Sequence, residues 1–170
     1  MSLAIATAGA ERIDELEPLW LALHRHHRDV AAAPVVADDA ASWERRRRWY
    51  LEMLAGGDDA VLIAEKDGMP VGYAFLHVHE GPDDTWPVEG RWAEVVSLSV
   101  LPGARGAGVG TALLDAVDAE LERRGVRDLQ VSVMAGNADA IRLYERRGLR
   151  PAELVLFRFG SEQDGGEAPA

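Results

Sequence analysis

The spacing of apolar residues predicts one strand and two helices in the first third of the chain. Residues 3–7 form a short apolar run that is typical of a strand. Over residues 11–28 the apolar positions recur at intervals of three and four, which indicates a helix with one buried face. A second helix is predicted through about Leu54, with Asp39 or Ser42 as its N-cap.

Alternating apolar positions then predict a hairpin and a further strand. Two β-rich runs flank Lys66-Asp67-Gly68, and Asp-Gly is a typical two-residue turn. Residues 81–90 are rich in glycine, proline and aspartate, which indicates a loop. A strand follows from about Arg91 to Val100. Its apolar alternation places Glu94, with Val96, Leu98 and Val100, on one face.

Helix and strand patterns alternate in the remaining third. An apolar stripe predicts a helix over 109–125, and residues 129–134 read as a strand. Asn137 is the expected N-cap of a helix that closes at Gly148, and residues 152–159 read as a last strand. The predicted order is β-α-α-β-β-β-α-β-α-β. This order predicts an α/β protein of the α+β kind, with helices on a mixed sheet.

The composition predicts that these elements form a single soluble domain. The chain has 170 residues, of which 48% are hydrophobic and 28% charged, as in ordinary globular proteins. We expect one domain over residues 1–160 and a polar, disordered tail over 161–170. The sequence shows neither a signal peptide nor an apolar run long enough for a membrane span, so the expected location is the cytoplasm.

Charge and cysteine content exclude several kinds of partner and site. A net charge of −11 argues against nucleic acid as a partner and favours cationic substrates slightly. The basic run Arg45–Arg48 points all round a helix and is interpreted as a solvated surface, with phosphate binding as the alternative. The absence of cysteine excludes disulfides, thiolate zinc sites and cysteine nucleophiles.

Three glycines stand at alternate positions where the 91–100 strand passes into the 109–125 helix, in "RGAGVG". A Walker A loop is excluded because Val109 and Gly110 occupy the places of its lysine and hydroxyl residue. A dinucleotide fingerprint is excluded because Thr111 stands at its third glycine. The remaining interpretations are a plain turn and a pyrophosphate site made of backbone N–H groups at a helix start.

Residues 92–149 resemble a known family. "AEVVSLSVLPGARGAGVGTALLDAV" followed by "VMAGNADAIRLYERRGL" is similar to the GNAT superfamily of acetyl-CoA-dependent N-acetyltransferases. The resemblance implies a mostly antiparallel sheet of six to seven strands with four helices. It implies that the sheet splays between the strand at 92–100 and the strand at 129–134. Acetyl-CoA would be the co-substrate and no metal would be needed.

The resemblance also implies which residues hold the cofactor. The glycine loop would wrap the pyrophosphate of coenzyme A, main-chain groups of the preceding strand would contact the pantetheine arm, and Asn137 would contact the cofactor from the next helix. The implied cofactor contacts are Leu98, Ser99, Val100, Arg105, Gly106, Ala107, Gly108, Val109, Gly110, Thr111 and Asn137. Asn137 also fits a simple N-cap, and both roles are compatible.

Two residues match positions of catalytic groups in the family. Tyr144 lies seven residues after Asn137, on the same helix face, and would protonate the departing thiolate; the alternative is a packed core tyrosine. Glu94 would remove the proton of the attacking amine, which is mostly ammonium at neutral pH. The alternatives are an edge carboxylate paired with Arg91, and a water chain as base.

The other candidate polar groups carry weaker signals. His77 and His79 alternate on one strand face and suggest a substrate pocket or surface, since a metal site needs further ligands. The first helix and its loop commonly shape the acceptor pocket in this family. The resulting candidate acceptor contacts, for which core packing or solvation is the alternative, are Trp20, Asp29, Trp43 and Trp49.

The sequence after Gly148 is short for the family, which often has two further strands there. Either one strand is very short, or a partner chain completes the sheet, so a homodimer is among the expected states. The expected activity is transfer of an acetyl group to a primary amine on a small molecule or peptide. A non-catalytic coenzyme A-binding sensor and a dinucleotide-dependent oxidoreductase are the alternatives.

Overall fold

A five-stranded sheet with helices on both faces forms the protein. The computed structural model describes residues 2–160, and the predicted 161–170 tail lies outside these described residues. The strands are β1 (Leu3–Ala8), β2 (Ala60–Lys66), β3 (Met69–His79), β4 (Trp92–Val100) and β5 (Asp128–Val131). The α-helices are α1 (Glu17–Val30), α2 (Asp39–Ala55), α3 (Val109–Arg124) and α4 (Ala138–Arg146). Short 3₁₀ helices span Ala10–Leu16 and Pro102–Ala104.

The strands lie in chain order, β1-β2-β3-β4-β5. Each neighbouring pair is antiparallel except β4 and β5, which are parallel because α3 carries the chain back across the sheet. The fold class and the four helices are therefore as predicted, but the described chain contains five strands rather than six to seven.

Helices cover both faces of the central strands. The 3₁₀ helix Ala10–Leu16, α1 and α2 pack on one face, where Leu16, Leu19 and Tyr50 are fully buried. Helix α3 packs on the other face through Leu113 and Val117. Because both faces are covered, β2 is a continuous buried apolar run from Ala60 to Ala64 rather than an alternating one.

The first predicted helix is divided in two. A 3₁₀ helix covers Ala10–Leu16 and α1 starts at Glu17, with Pro18 in its first turn. Proline has no N–H and its ring clashes with the carbonyl four residues earlier, so a single α-helix cannot continue through this position. The N-cap of α2 is Asp38, whose carboxylate accepts from the Ala41 N–H at 3.1 Å, and not Asp39 or Ser42.

The C-terminal helix ends are as the glycines predict. Gly125 and Gly148 both have positive φ, at 68° and 88°. In each case the following N–H bonds back five residues, from Val126 to Leu121 and from Leu149 to Tyr144. This is the Schellman arrangement, in which glycine accepts the left-handed conformation without a Cβ clash.

Two strand predictions near the C-terminus are wrong. Strand β5 ends at Val131 rather than at residue 134, and residues 152–159 form no strand. The apolar side chains of Leu154, Leu156 and Phe157 are at least 73% exposed. Within the described chain β5 pairs only with β4, so these residues have the composition of a strand but no strand partner. The homodimer that would complete the sheet stays a prediction.

An aromatic and cationic cluster joins α1 to α2. The Arg46 guanidinium lies 4.0 Å from the centre of the Trp20 ring and 4.7 Å from that of Trp49. His27 packs edge-on against Trp20, and burial, with the nearby charges of His24 and Arg46, lowers the pKa of His27 to about 4. Part of the basic run therefore packs on aromatic rings, while Arg47 pairs with Asp14 at 2.6 Å.

The depressed pKa of His27 predicts acid sensitivity of the fold. Between pH 6.5 and about 4 the unfolded chain binds a proton that the folded chain does not, so stability is lost as the pH falls through this window. Lowering the pH through this window lowers the melting temperature of the wild type. We expect the melting temperature of a His27→Gln variant to fall by about 2–6 °C less over the same pH range. Equal losses in thermal melts of the two proteins would contradict this assignment.

Candidate active site

The parallel pair β4–β5 opens part of the way along. Its register runs from Trp92–Asp128 to Val95–Val131 and then stops, although β4 continues to Val100. Beyond Val95 no described strand pairs with this edge of β4. The edge therefore offers backbone N–H and C=O groups to an extended ligand, as a sheet edge offers them to an added strand.

A β-bulge in β4 lies next to this opening. Phe75 of β3 is opposite Ser97, whereas the next residue, Leu76, is opposite Val95, so Val96 is the extra residue. A bulge reverses the inward and outward alternation of the residues that follow it. The prediction that Glu94 shares a face with Leu98 and Val100 is therefore wrong.

Glu94, before the bulge, lies on the opposite face of the sheet from Leu98 and Val100, which follow the bulge. Leu98 and Val100 pack with the α3 core, whereas Glu94 lies opposite His77 on the face of Ser97 and Ser99. Ser99 Oγ donates to the Leu19 carbonyl at 2.7 Å, which fixes α1 against β4. Ser97 hydrogen-bonds to the buried Tyr50 hydroxyl, which is also 3.0 Å from the Tyr73 hydroxyl. The two serines in "VSLSV" thus fix α1 and α2 on the face of the sheet that carries Glu94.

The glycine loop forms an uncapped helix start beyond β4. Gly106 and Gly108 have φ values of 75° and 81°, and Gly108 is the N-cap of α3. No side chain caps this helix. Among the described residues, no backbone carbonyl outside α3 accepts a hydrogen bond from the N–H groups of residues 106–111. These free donors and the helix dipole together suit a bound anion.

Arg105 lies at the edge of this loop. Its side chain is exposed, and its Nε donates to the Val100 carbonyl at 3.1 Å. The contact ties the loop to the end of β4 and leaves the remaining guanidinium N–H groups for a phosphate. It also occupies one of the main-chain groups that the resemblance assigns to the pantetheine arm.

Helix α4 lies beside the start of α3. A methyl group added at Gly110 would lie 3.4 Å from Leu143, so this position permits close packing of the two helices. Arg147 pairs with Asp115 at 2.6 Å and also with Asp118, which fixes the end of α4 against α3. The tyrosine next to Leu143, Tyr144, is thereby placed on a helix that contacts the glycine loop.

Asn137 and Tyr144 occupy the two ends of α4. Asn137 is the N-cap, and its side-chain oxygen accepts from the Ala140 N–H at 3.2 Å. Tyr144 is 9% exposed, and no described residue hydrogen-bonds to its hydroxyl. Burial raises the pKa of Tyr144 to about 12, so the hydroxyl keeps its proton at neutral pH. An unpartnered, protonated hydroxyl is suited to donate to a ligand.

Glu94 lies at the mouth of the opening. One carboxylate oxygen, Oε2, is 3.2 Å from Nε2 of His79, and the other, Oε1, is 3.5 Å from the hydroxyl of Ser132. Ser132 is the first residue after β5, so this carboxylate spans the two strands where they part. Arg91 pairs instead with Asp58 and Glu80, at 3.0 and 3.2 Å, so the alternative in which Glu94 is an edge carboxylate paired with Arg91 is not found.

The remaining candidates divide between core and surface. Trp20 and Trp43 are buried in the α1–α2 layer, whereas Trp49 is 42% exposed and Asp29 is exposed. His77 and His79 share a face, but residues 2–160 contain no group of three or more potential metal ligands. None of the helices described there is long and apolar enough to cross a membrane. Of the three candidate tryptophans, Trp49 is the exposed one.

Sequence reasoning missed Ser132 and Asp59. Asp59 is buried and accepts from Nδ1 of His77 at 2.6 Å. Neither residue carries a local signal, because each meets its partner only through strand pairing. The serines inside the apolar run of β4 were a usable signal, since polar residues at buried strand positions need a partner.

Comparison with known proteins agrees with this geometry. The model of the acetyltransferase (GNAT) family matches residues 19–149. The chain belongs to the GNAT family. The match includes β4, the glycine loop and α4, which are the elements that surround the opening.

Relatives of this GNAT protein include two proteins that are named as acetyltransferases. It is 34% identical over 116 residues to an uncharacterized N-acetyltransferase of Methanocaldococcus jannaschii, covering 66% of this chain and 49% of that one. It is 29% identical over 119 residues to an N-alpha-acetyltransferase of Sulfurisphaera tokodaii, covering 68% and 71%. The chain thus spans about half the length of the first relative and 71% of the length of the second.

A solved structure has the same fold. An aminoglycoside N-acetyltransferase in complex with CoA superposes with a TM-score of 0.70 at 19% identity, covering 94% of this chain and 95% of that one. At this identity the likeness shows the fold of the GNAT protein and not its substrate.

The backbone of the glycine loop predicts which glycine is essential for binding. A Gly108→Ala variant forces an L residue to φ 81°, which costs about 1–2 kcal/mol. We expect its affinity for acetyl-CoA, measured by isothermal titration calorimetry, to fall about tenfold or more because the N–H groups no longer converge.

Gly103→Ala is the matched control for this variant. Gly103 also has open space around it but lacks a positive φ, so its binding and melting temperature should stay at the wild-type values. Wild-type affinity in Gly108→Ala would show that the loop does not hold the cofactor.

Proposed function

We propose that this GNAT protein is an N-acetyltransferase that moves the acetyl group of acetyl-CoA to a primary amine in a ternary complex. The observation that carries the proposal is that the unpaired stretch of β4, after Val95, leads directly into the uncapped start of α3. A ligand with an extended arm and a pyrophosphate end fits this sequence of backbone donors, and coenzyme A has that shape.

The cofactor contacts follow from this arrangement. The N–H groups of residues 106–111, with Arg105, bind the pyrophosphate. Main-chain groups of Leu98 and Val100 hydrogen-bond to the pantetheine arm along the open edge of β4. The main-chain groups of Ser99, which the resemblance also assigns to the arm, face Tyr73 of β3 instead. Asn137 keeps its N-cap bond and contacts the cofactor from the start of α4. These assignments rest on the free donors described above and on the family motif.

The reaction proceeds by direct attack on the thioester. The acceptor ammonium first gives one proton to Glu94, and the amine nitrogen then bonds to the carbonyl carbon. A main-chain N–H of residues 98–100 donates to the carbonyl oxygen while negative charge builds up there. The C–S bond breaks and Tyr144 protonates the sulfur. The nitrogen loses its second proton, which restores Tyr144, and Glu94 releases its proton to solvent.

Position and burial support these two roles. Glu94 is 22% exposed and spans β4 and the end of β5, so it reaches both solvent and the opening. Tyr144 stays neutral until about pH 12, which keeps the acid available over the whole working range. Most of the rate enhancement would come from orienting the amine and the thioester in a site whose donors are already in place.

The acceptor is a primary amine. The net charge of −11 favours a cationic acceptor, and an ammonium group would be attracted to the Glu94 side of the opening. Trp49, exposed on α2 beside Arg46, is proposed as an acceptor contact, as the sequence suggests for this part of the chain.

The effects of acetyl-CoA and of NAD on the melting temperature distinguish this function from that of a dinucleotide-dependent oxidoreductase. In thermal-shift measurements acetyl-CoA should raise the melting temperature, because a ligand that binds only the folded state stabilises it, and NAD should not. Stabilisation by NAD alone would overturn the proposal. Binding of acetyl-CoA with no thiol release from any amine tested would instead identify a non-catalytic coenzyme A-binding module.

Substitution of the two proposed catalytic groups tests the mechanism. Glu94→Gln and Tyr144→Phe should each lower kcat by about 10²-fold, while acetyl-CoA binding stays unchanged, because each removes a proton-transfer group. Free-thiol release with spermidine, glucosamine, lysine amide and a short peptide with a free N-terminus measures this effect. Wild-type rates in both variants would refute the roles even if the protein proves to be an acetyltransferase.

The pKa of Tyr144 predicts the alkaline side of the pH profile. Because the hydroxyl ionises only near pH 12, kcat should not fall between pH 8 and 10 through loss of the acid. An ordinary tyrosine would already be half ionised at about pH 10. A decline in kcat that is centred near pH 10 in the wild type and absent in Tyr144→Phe would contradict the raised pKa of Tyr144.

A further inference from the structure

The carboxylate of Glu94 has two neighbours that the proposed chemistry does not use, His79 and Ser132, and His79 is the closer of the two. Nε2 of His79 lies 3.2 Å from Oε2 of Glu94, across the β3–β4 hairpin. The two side chains are 30% and 22% exposed, so the contact is partly shielded from water. A hydrogen bond to an ionised group in such surroundings is stronger than a neutral one and fixes the orientation of the carboxylate.

The imidazole of His79 is itself held on two sides. It stacks on Trp92, with ring centres 3.9 Å apart and planes 13° apart. The ring of His77 meets it edge-on at 4.2 Å, with planes at 81°. Two ring contacts of this kind leave His79 little freedom to rotate, so its nitrogen stays directed at Glu94.

His77 is fixed in turn by a buried acid. Nδ1 of His77 donates to Oδ1 of Asp59 at 2.6 Å, and the same oxygen accepts from the Val78 N–H at 3.2 Å. The Asp59 side chain is only 3% exposed, and Asp59 directly precedes the first residue of β2. A chain of contacts thus runs from Asp59 through the two histidines to Glu94.

The other oxygen of Glu94, Oε1, is held less closely, since its one contact among the described residues is the long hydrogen bond that the Ser132 hydroxyl donates at 3.5 Å. Oε1 is directed at Ser132, where β4 and β5 part, while Oε2 is held by His79. We propose that His79 is a positioning residue, which holds the Glu94 carboxylate so that Oε1 faces the opening and accepts the proton of the acceptor ammonium. This inference rests on the proposed acetyltransferase function. Asp59 and His77 act through His79 and do not touch the substrate.

Three variants of the full chain separate this role from a general effect on folding. His79→Phe keeps a flat ring to stack on Trp92 but removes the N–H. His79→Gln restores a donor at about the position of Nε2. His26→Phe makes the same aromatic change on α1, where no described residue hydrogen-bonds to the side chain. Acetyl-CoA affinity by calorimetry and thermal melts show whether each variant is folded and binds the cofactor.

The readouts are kcat and KM for the acceptor amine that the wild type uses best. In His79→Phe kcat should fall about tenfold, with acetyl-CoA affinity unchanged, because a misdirected base slows proton removal and not binding. His79→Gln should recover most of the rate, and His26→Phe should match the wild type.

A double variant tests whether His79 acts through Glu94. Combined with Glu94→Gln, the His79→Phe change should have no further effect on kcat, since residues that act as a unit are not additive. The same tenfold loss in the double variant, or wild-type kcat in His79→Phe, would overturn the inference.

Failure of the proposed function gives a different result. If the wild type releases no thiol with any of the amines, the acetyltransferase proposal is refuted, and the positioning role with it. If the wild type turns over and only the His79 substitution is silent, the proposed function stands and the inference alone is refuted.

Discussion

The parting of β5 from β4 after the Val95–Val131 pair is the constraint on which the site depends. Parallel strands normally continue their hydrogen bonds, so an unpaired stretch inside a covered sheet leaves backbone groups that need another partner. The same edge of β4 leads into a helix start whose N–H groups are also unpaired. The fold thus places an unpaired strand edge and an uncapped helix start next to each other along the chain, and the proposed coenzyme A site uses both.

The bulge at Val96 decides how side chains are distributed around this opening. Before it, Glu94 faces the layer of α1 and α2; after it, Leu98 and Val100 turn to α3 and become part of that core. The apolar part of β4 is thereby used for packing, while its one acid is left beside the gap. Ser97 and Ser99 hydrogen-bond to residues of α2 and α1, so these two helices are fixed on the face of the sheet that carries Glu94.

The parts of the site differ in how far they could be predicted. The glycine loop, the Asn137 cap and the closure at Gly148 were predicted because each depends on the conformation of a few neighbouring residues. The face of Glu94 was predicted wrongly because strict alternation assumes an unbroken ladder, and one extra residue reverses it. The alternative pairing of Glu94 with Arg91 is absent for a related reason, since strand register brings His79 to Glu94 and leaves Arg91 to Asp58 and Glu80.

By itself, the sequence determined the order of the helices and strands as far as α4, the family motif and the glycine-rich start of α3, because these follow from local backbone preferences and apolar spacing. Only the tertiary structure decided that the sheet has five strands, that "AELVLFRF" has no strand partner in the described chain, and that Asp59, His77, His79 and Glu94 form one chain of contacts. The reason is that strand pairing joins residues far apart in the chain. A composition that suits a strand does not say which strand, if any, will lie beside it.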